Sequence, residues 1–242
     1  MTPFRWENCH ADVAAAQHDL TIRSFLDDVI LPAICTLEAR IAALGRSERA
    51  GAAFEQSDME DMLSETKKAF GLSTQSIWER QLRAYLSGCG EELRPGEGFG
   101  TKVARANWPG LCDLFRELRG IPLEDFPSFG ELDTLHHLGN ACRHGDGASG
   151  AELARRCPDW WPIYAPMLDE FGLSEPPELT VVAMDVPVDR VVRFVEAIAT
   201  FWTDASYIYN ESIERKHPSL EARLARERAE RSWMPQARAG QD

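Results

Sequence analysis

The side chains best suited to chemistry stand close together just past the middle of the chain. His137, Asn140 and His144 follow one another at steps of three and four residues, so a helix over this segment would align them along one side. His136 and Arg143 flank that line. Histidine exchanges protons near neutral pH, and arginine holds phosphate oxygens through two parallel hydrogen bonds. These residue types therefore suit the cleavage of a phosphodiester bond in RNA.

The individual roles follow from the steps of that reaction. One group removes the proton of the ribose 2′-hydroxyl, and another protonates the leaving oxygen. We assign proton transfer to His144, with His137 as its candidate partner. Arg143 is assigned to the phosphate, and Asn140 to orienting the reacting groups. General acid–base assistance of this kind contributes about 10²–10⁴-fold to a rate.

Three further residues near this line are candidates for substrate binding. They are His136, Arg155 and Arg156. The whole chain carries 26 basic and 39 acidic residues, for a net charge of −13. Such a balance opposes nonspecific binding to nucleic acid or to an anionic membrane. Any contact with RNA must therefore be local.

Two other interpretations of the same residues remain open. In the first, His144 only marks a helix end, where the helix dipole favours it, and His137 and Asn140 bond buried carbonyl groups. In the second, a metal ion takes His144 and Asp146 with one of the two histidines upstream. The second lacks an H-E-x-x-H pairing that would place two ligands on one helical turn. We therefore expect no metal and no cofactor.

The segment that carries these residues predicts a helix with one buried face. Its apolar side chains recur every three or four positions, at Leu132, Leu135, Leu138 and Cys142. Gly145 then predicts the end of the helix, and Asp146-Gly147 predicts a turn. Ser149 with Glu152 predicts a capping box that begins the next helix.

Helical periodicity covers most of the remaining chain. Apolar residues recur at helical spacing over residues 18–44, 59–93, 102–118, 188–213 and 220–233. Pro32 predicts a kink or break, Pro109 predicts a fresh start, and Gly71-Leu72-Ser73 predicts a break within the second run. Residues 45–51 and the glycine-rich residues 88–100 predict loops. Residues 158–171, rich in aromatic side chains and proline, predict only short helices.

One short segment predicts a β-strand. Residues 179–184, LTVVAM, are apolar and largely β-branched. A single strand makes no sheet, so it would pair with another short segment or with a second chain across a dimer.

These elements predict an all-α fold, a multi-helix bundle with at most one short strand or hairpin. We interpret residues 1–242 as a single domain. Its parts are N-terminal helices over 1–94, a core over 101–213 that holds the central polar helix, and a charged C-terminal helix over 218–234.

Six cysteines are spread along the chain without a C-x-x-C pair or metal-finger spacing. We interpret them as reduced core residues of a cytoplasmic protein. The N-terminus has neither the basic start nor the apolar run of a secretory signal. No window approaches the roughly 20 apolar residues that a membrane span requires, so we expect no membrane partner.

The helical outline, together with the sequence L-x-x-L-x-N-x-x-R-H-G-D-G from Leu135 to Gly147, resembles the HEPN superfamily of helical domains. The family's motif is an arginine separated from a histidine by four to six residues, the first of which is usually Asn, Asp or His. Asn140 and His144 match the polar residue and the histidine of that motif. The position of its arginine holds Gly139.

The resemblance implies an RNA-directed protein, in many members a metal-independent endoribonuclease of bacterial toxin–antitoxin or phage-defence systems. It further implies a homodimer, whose two copies form the cleft, and an antitoxin or defence protein as partner. Either Arg143 or His137 then replaces the missing arginine, or the chain no longer cleaves RNA. The alternative, from another functional class, is a non-catalytic helical interaction module that uses the polar face for packing.

Overall fold

The structure is a computed structural model, and it describes residues 4–161 and 179–236. These residues form an all-α, bundle-like fold without a strand or sheet, which confirms the predicted fold class. Numbered in chain order, the α-helices are α1 (His10–Ala14), α2 (His18–Phe25), α3 (Leu31–Gly45), α4 (Ala52–Leu93), α5 (Phe99–Arg105), α6 (Trp108–Arg119), α7 (Phe129–His144), α8 (Ala148–Arg156), α9 (Val188–Ser212) and α10 (Pro218–Glu230). Among the described residues, no helix combines the length and apolar character needed to cross a bilayer.

The chain divides into two compact units, each assembled from separate segments. The first unit comprises Met1–Thr21, Trp78–Gly130 and Ala197–Asp242. The second unit comprises Ile22–Ile77 and Glu131–Glu196. The interpretation of the whole chain as a single domain stays a prediction.

Aromatic side chains fill the core of the first unit. Trp78 on α4 packs edge-to-face on Phe201 of α9, with ring centroids 4.9 Å apart. Phe115 of α6 meets Phe126 at 5.7 Å, and Phe126 meets Phe201 at 4.8 Å. Each such pair contributes about 0.5–1.5 kcal/mol beyond the burial of its area. The cluster thus joins three helices that are distant in sequence.

In the second unit, two glycines let α4 and α7 approach closely. A Cβ atom on Gly71 would lie 2.6 Å from Cδ2 of Leu138, and one on Gly139 would lie 2.7 Å from Cγ of Gln75. The predicted break at Gly71-Leu72-Ser73 is wrong, because α4 continues through it as one helix. A glycine inside a helix costs about 1 kcal/mol relative to alanine, and here the packing of α7 offsets that loss.

The loop predicted over 88–100 is also too long. Helix α4 extends to Leu93, and α5 begins at Phe99. Gly90 lies where α4 meets the start of α5, since a Cβ atom on it would be 2.2 Å from Cβ of Phe99. The glycine therefore serves a close approach between helices and does not end α4.

The chain is not broken at Pro32, and it forms one turn of π-helix just before this proline. Residues Leu26–Ile30 have π-helical hydrogen bonding between α2 and α3, and the Leu31 amide donates to the carbonyl of Leu26, five residues earlier. Pro32 has no amide hydrogen to offer a carbonyl of the preceding turn. The chain therefore remains helical on both sides of the proline.

The strand predicted over 179–184 is wrong, since this segment is a bend followed by a turn. The Ala183 amide donates to the Thr180 carbonyl at 3.1 Å, and the Met184 amide donates to the Val181 carbonyl at 3.2 Å. These local bonds occupy main-chain groups that a strand would offer to a neighbour.

Side chains from α4 and from the turn after α7 bind the same segment. Lys68 on α4 donates to the Val182 carbonyl at 3.1 Å. The Val181 amide donates to Oδ1 of Asp146 at 2.7 Å. These bonds satisfy main-chain groups of Val181 and Val182 without a strand partner.

Three predictions concern the remaining segments. The helix predicted over 188–213 and the charged C-terminal helix are confirmed as α9 and α10. Of the short helices predicted over 158–171, a 3₁₀ turn over Pro158–Trp160 is present, and residues 162–171 lie outside the described part of the chain.

Four of the six cysteines are buried and Cys142 is half-buried. The interpretation of every cysteine as a core residue is wrong for Cys35, which is exposed on α3.

Candidate functional site

Helix α7 positions the candidate residues through its buried face. Leu132, Leu135 and Leu138 have no exposed surface, which confirms the predicted apolar stripe for its three leucines, whereas its fourth member, Cys142, is half-buried. The helix ends at His144 because Gly145 adopts a left-handed conformation with φ of +74°, while its amide donates to the Ala141 carbonyl at 2.8 Å. The candidate residues of α7 are therefore held on the half-buried and exposed sides of the helix.

His144 is exposed at the last position of α7. Within residues 4–161 and 179–236, its imidazole makes no hydrogen bond and no ion pair. The position at the negative end of the helix dipole agrees with the packing interpretation. The open imidazole agrees equally with a proton-transfer role, which requires access to substrate.

Arg143 has neutral partners on α4. One guanidinium nitrogen, Nη2, donates to Oε1 of Gln75 at 2.5 Å and to Oγ of Ser76 at 2.9 Å. No acidic side chain of the described residues forms an ion pair with it. The guanidinium is thus oriented by hydrogen bonds while its charge stays uncompensated.

Gly139 and Arg143 contact the same residue of α4. Gly139 lies against the Gln75 side chain, and Arg143, one helical turn later, bonds the amide oxygen of that side chain. An arginine at position 139 would have to displace Gln75. Position 139 therefore lies in a helix crossing, and Arg143 is the arginine of α7 that contacts the same Gln75 side chain.

His137 belongs to a polar network between α7 and α8. Its Nδ1 lies 3.3 Å from Oγ of Ser149, and its Nε2 lies 4.0 Å from a carboxylate oxygen of Asp133. Burial lowers the pKa of His137, although the Asp133 charge acts in the opposite direction. His137 is therefore held as a neutral, oriented imidazole at pH 7.

The same contact explains why the predicted capping box is wrong. Helix α8 begins at Ala148, and its N-cap residue Gly147 provides no side-chain hydrogen bond. Ser149 lies inside the first turn and bonds His137.

Arg155 and Arg156, the predicted substrate-binding arginines, are paired with carboxylates. Arg156 contacts Asp133 at 2.7 Å and Glu152 at 2.6 Å, and Arg155 contacts Glu152 at 2.5 Å. Hydrogen bonds from Arg155 and Arg156 lower the pKa of Glu152 from its ordinary value of 4.5 to about 2. Two positive charges therefore face two negative ones, which leaves this part of α8 close to neutral.

Asn140 and His136 bond each other on α7. The Asn140 amide nitrogen lies 2.8 Å from Nε2 of His136, which accepts in the tautomer protonated on Nδ1. Both side chains are half-buried. Asn140 thus orients a neighbouring imidazole, although that imidazole belongs to His136.

The residues of the metal interpretation do not converge. Across the described ranges, no group of three or more His, Cys, Asp or Glu side chains is placed to hold a metal ion. Asp146 instead accepts a hydrogen bond from the Val181 amide.

A cavity of about 370 Å³ lies beside the end of α7 within the second unit. Its walls include Lys68 and Leu72 of α4, Cys142 and Gly145 at the end of α7, and Val181. Burial raises the pKa of Cys142 to about 11, so this thiol is protonated at neutral pH.

Sequence reasoning missed the residues of α4 that complete this region. Gln75 and Ser76 orient Arg143 from 68 and 67 positions away along the chain. Lys68 is almost fully buried, and it pairs with Glu65 as well as binding the Val182 carbonyl. No local pattern distinguishes these side chains from other polar residues of a long helix.

Comparison with known proteins gives no match: no family model, no curated protein and no solved structure matches this chain.

Proposed function

We propose that this chain is a HEPN-like, RNA-directed protein of the cytoplasm that acts as a metal-independent endoribonuclease in a bacterial toxin–antitoxin or phage-defence system. The observation that supports the proposal is the juxtaposition of His144 and Arg143 at the exposed end of α7. The first offers an unpaired imidazole, and the second an oriented guanidinium without an acidic partner.

Arg143 is suited to hold a phosphate group. Gln75 and Ser76 both bind its Nη2 and are neutral, so they orient the side chain without neutralising it. The planar fork of a guanidinium carries five donors, of which Nε and Nη1 form no hydrogen bond within the described residues. Those donors are free to bind two phosphate oxygens in parallel.

Two imidazoles are needed to move both protons. Within one chain the candidate partner of His144 is His137, which Ser149 and Asp133 hold in place and which is neutral at pH 7. In a homodimer, the second copy would bring a second His144 to the same strand of RNA. Either arrangement supplies one base and one acid, as cleavage by the 2′-hydroxyl requires.

Replacement of His144 tests the proposal directly. In a cleavage assay of the full chain on a mixed panel of single-stranded and structured RNAs, we expect His144→Ala to lower the rate about 10²-fold or more. The melting temperature should hardly change, because His144 is exposed and makes no side-chain contact with the described residues.

His10→Ala is the matched control. His10 is an exposed histidine of the first unit and belongs to a different unit from His144, so its replacement should leave cleavage unchanged. Equal cleavage by the wild-type chain and His144→Ala would refute the assignment, and so would the lack of any cleavage or RNA binding by the wild-type chain in this assay.

A second candidate function is a non-catalytic interaction module. One observation favours it: Asp133, His136, His137 and Asn140, which lie on α7 with His144 and Arg143, bond one another or α8. If this network serves packing alone, Asp133→Asn should lower the melting temperature while RNA binding stays absent in both proteins. An antitoxin or defence protein would be the partner under either function.

A further inference from the structure

Two cysteines distant in sequence meet in the core of the first unit. Cys9, at the N-terminal boundary of α1, and Cys89, on α4, are separated by 80 positions, and their sulfur atoms lie 3.5 Å apart. Cys89 has no exposed surface, whereas Cys9 retains 5% exposure. A small solute would therefore reach Cys9 first.

A buried arginine lies against both sulfurs. Nη1 of Arg119 is 3.8 Å from each of them, and it also donates to the Glu7 carbonyl at 3.1 Å. The Arg119 side chain is fully buried, and it bonds both carboxylate oxygens of Asp12 at 2.9 and 3.2 Å. The same carboxylate lies 3.5 Å from Sγ of Cys9.

These neighbours make the two thiols unequal in acidity. The hydrogen bond with Cys89 lowers the pKa of Cys9, and the Arg119 charge acts in the same direction, against burial and the Asp12 charge. The hydrogen bond with Cys9, together with burial, raises the pKa of Cys89. One sulfur is thus the better nucleophile, and the other remains a thiol that can follow it in a second step.

We propose that Cys9 and Cys89 form a reversible disulfide when a hydroperoxide oxidises Cys9. The Cys9 thiolate attacks one peroxide oxygen, so that an S–O bond forms while the O–O bond breaks. With hydrogen peroxide, the departing hydroxide takes up the proton that Cys9 released and leaves as water. Cys9 is then a sulfenic acid, and its sulfur has lost two electrons.

Cys89 completes the reaction. Its sulfur attacks Cys9 Sγ and releases its proton, the S–S bond forms, and the S–O bond breaks, so that a second water molecule leaves. The sum is two thiols and one hydrogen peroxide giving one disulfide and two waters. The sulfurs need only close from 3.5 Å to the disulfide bond length of about 2.05 Å. A dithiol reductant returns the two electrons through a mixed disulfide.

The disulfide would tie α1 to α4 covalently. Cross-links between residues far apart in sequence stabilise proteins chiefly by restricting the unfolded chain. Oxidation should therefore raise the melting temperature of the full chain, by about 5 °C or more.

The test is oxidation of the full chain by dilute hydrogen peroxide, in a Cys35→Ser background that removes the exposed thiol. We expect the free thiols to fall from five to three, the intact mass to drop by two hydrogens, and a non-reducing peptide map to join the Cys9 and Cys89 peptides. Treatment with dithiothreitol should restore all five thiols.

Two variants sharpen this experiment. Cys89→Ala should form no intramolecular disulfide, whereas Cys112→Ala, which removes another buried cysteine of the first unit, should form it as the parent does. The proposal is overturned if the parent keeps five free thiols, if the cross-link maps to another pair, or if Cys9 is oxidised further while Cys89 stays a thiol. The peptide map of the parent decides the matter even if a variant fails to fold.

Discussion

Arg119 and Arg143 are both bonded to neighbouring side chains, yet in opposite electrostatic settings. Arg119, in the first unit, is fully buried and bonds both oxygens of Asp12. Arg143, in the second unit, is exposed and bonds the neutral side chains of Gln75 and Ser76. The charge of Arg119 is compensated inside the protein, whereas that of Arg143 remains available to an anion. The comparison indicates that partner charge, more than the number of hydrogen bonds, decides whether the charge of an arginine is used inside the protein or stays open to an external anion.

The largest effect on stability is expected from breaking the buried ion pair of the first unit. Arg119→Met leaves the Asp12 carboxylate buried without its partner, and we expect the free energy of unfolding to fall by about 3–5 kcal/mol. Urea denaturation measures this loss. Arg116→Met, on the same helix, removes an arginine whose ion pairs are exposed and 3.4 Å or longer. It should change stability by less than about 1 kcal/mol, and an equal loss in both variants would contradict the distinction.

The next effect concerns the crossing that positions Arg143. Gly139→Ala adds a Cβ atom 2.7 Å from Cγ of Gln75, and we expect it to lower the free energy of unfolding by about 1–3 kcal/mol. On the same helix, Gly130 has nothing within 4 Å of an added Cβ atom. Gly130→Ala should therefore be neutral or stabilise the chain by up to about 1 kcal/mol, since alanine favours the helix. Thermal denaturation should show a lower melting temperature for Gly139→Ala and an unchanged or higher one for Gly130→Ala.

A smaller effect on stability, with a large one on RNA, is expected at the exposed arginine. Arg143→Met removes two hydrogen bonds to neutral groups and should lower the free energy of unfolding by about 1 kcal/mol. Under the proposed function it should also weaken RNA binding and reduce the slope of log Kd against log salt by about 1. Arg155→Met is the control, because Glu152 already compensates Arg155. If Arg143→Met leaves the salt slope unchanged, Arg143 does not contact the RNA phosphates.

The smallest effect is expected from the half-buried carboxylate of Glu152, which pairs with the arginines of α8. The pKa of Glu152 is lowered in the folded chain from 4.5 to about 2, so the folded state binds this proton less readily than the unfolded state does. Its contribution to stability is therefore present above pH 4.5 and is lost as the pH falls towards about 2. Glu152→Gln should reduce the acid sensitivity of the melting temperature within this window. If the melting temperatures of the wild-type chain and the variant fall equally with pH, the ion pairs are screened by solvent.

Much of the helical framework could be predicted from sequence because its signals are local. The apolar stripe of α7, its end at Gly145, the fresh start at Pro109 and the extent of α9 depend on side-chain periodicity and on the conformational limits of glycine and proline. The candidate residues of α7 could likewise be assigned to its polar side. The spacing that aligned His137, Asn140 and His144 holds in any straight helix.

Other features of the fold depend on which elements pack against each other. Gly71 and Gly90 resemble helix breakers in the sequence, but Leu138 and Phe99 pack against them and α4 continues. Residues 179–184 have the composition of a strand, but Lys68 and Asp146 bind their main chain and the segment forms a turn. Propensity is a weak preference of at most a kilocalorie or so per residue, and packing overrides it.

The sequence by itself determined the class of the fold and the identity of the groups able to transfer protons or bind phosphate. The tertiary structure decided which of those groups remain available: Arg155 and Arg156 are neutralised by carboxylates, whereas Arg143 is held by neutral partners and His144 projects into solvent. The physical reason is that the interaction between two charges depends on their separation, and folding sets that separation for residues that are far apart in sequence. Spacing along one helix determines which side chains share a face, but the partners that neutralise or free them come from other helices.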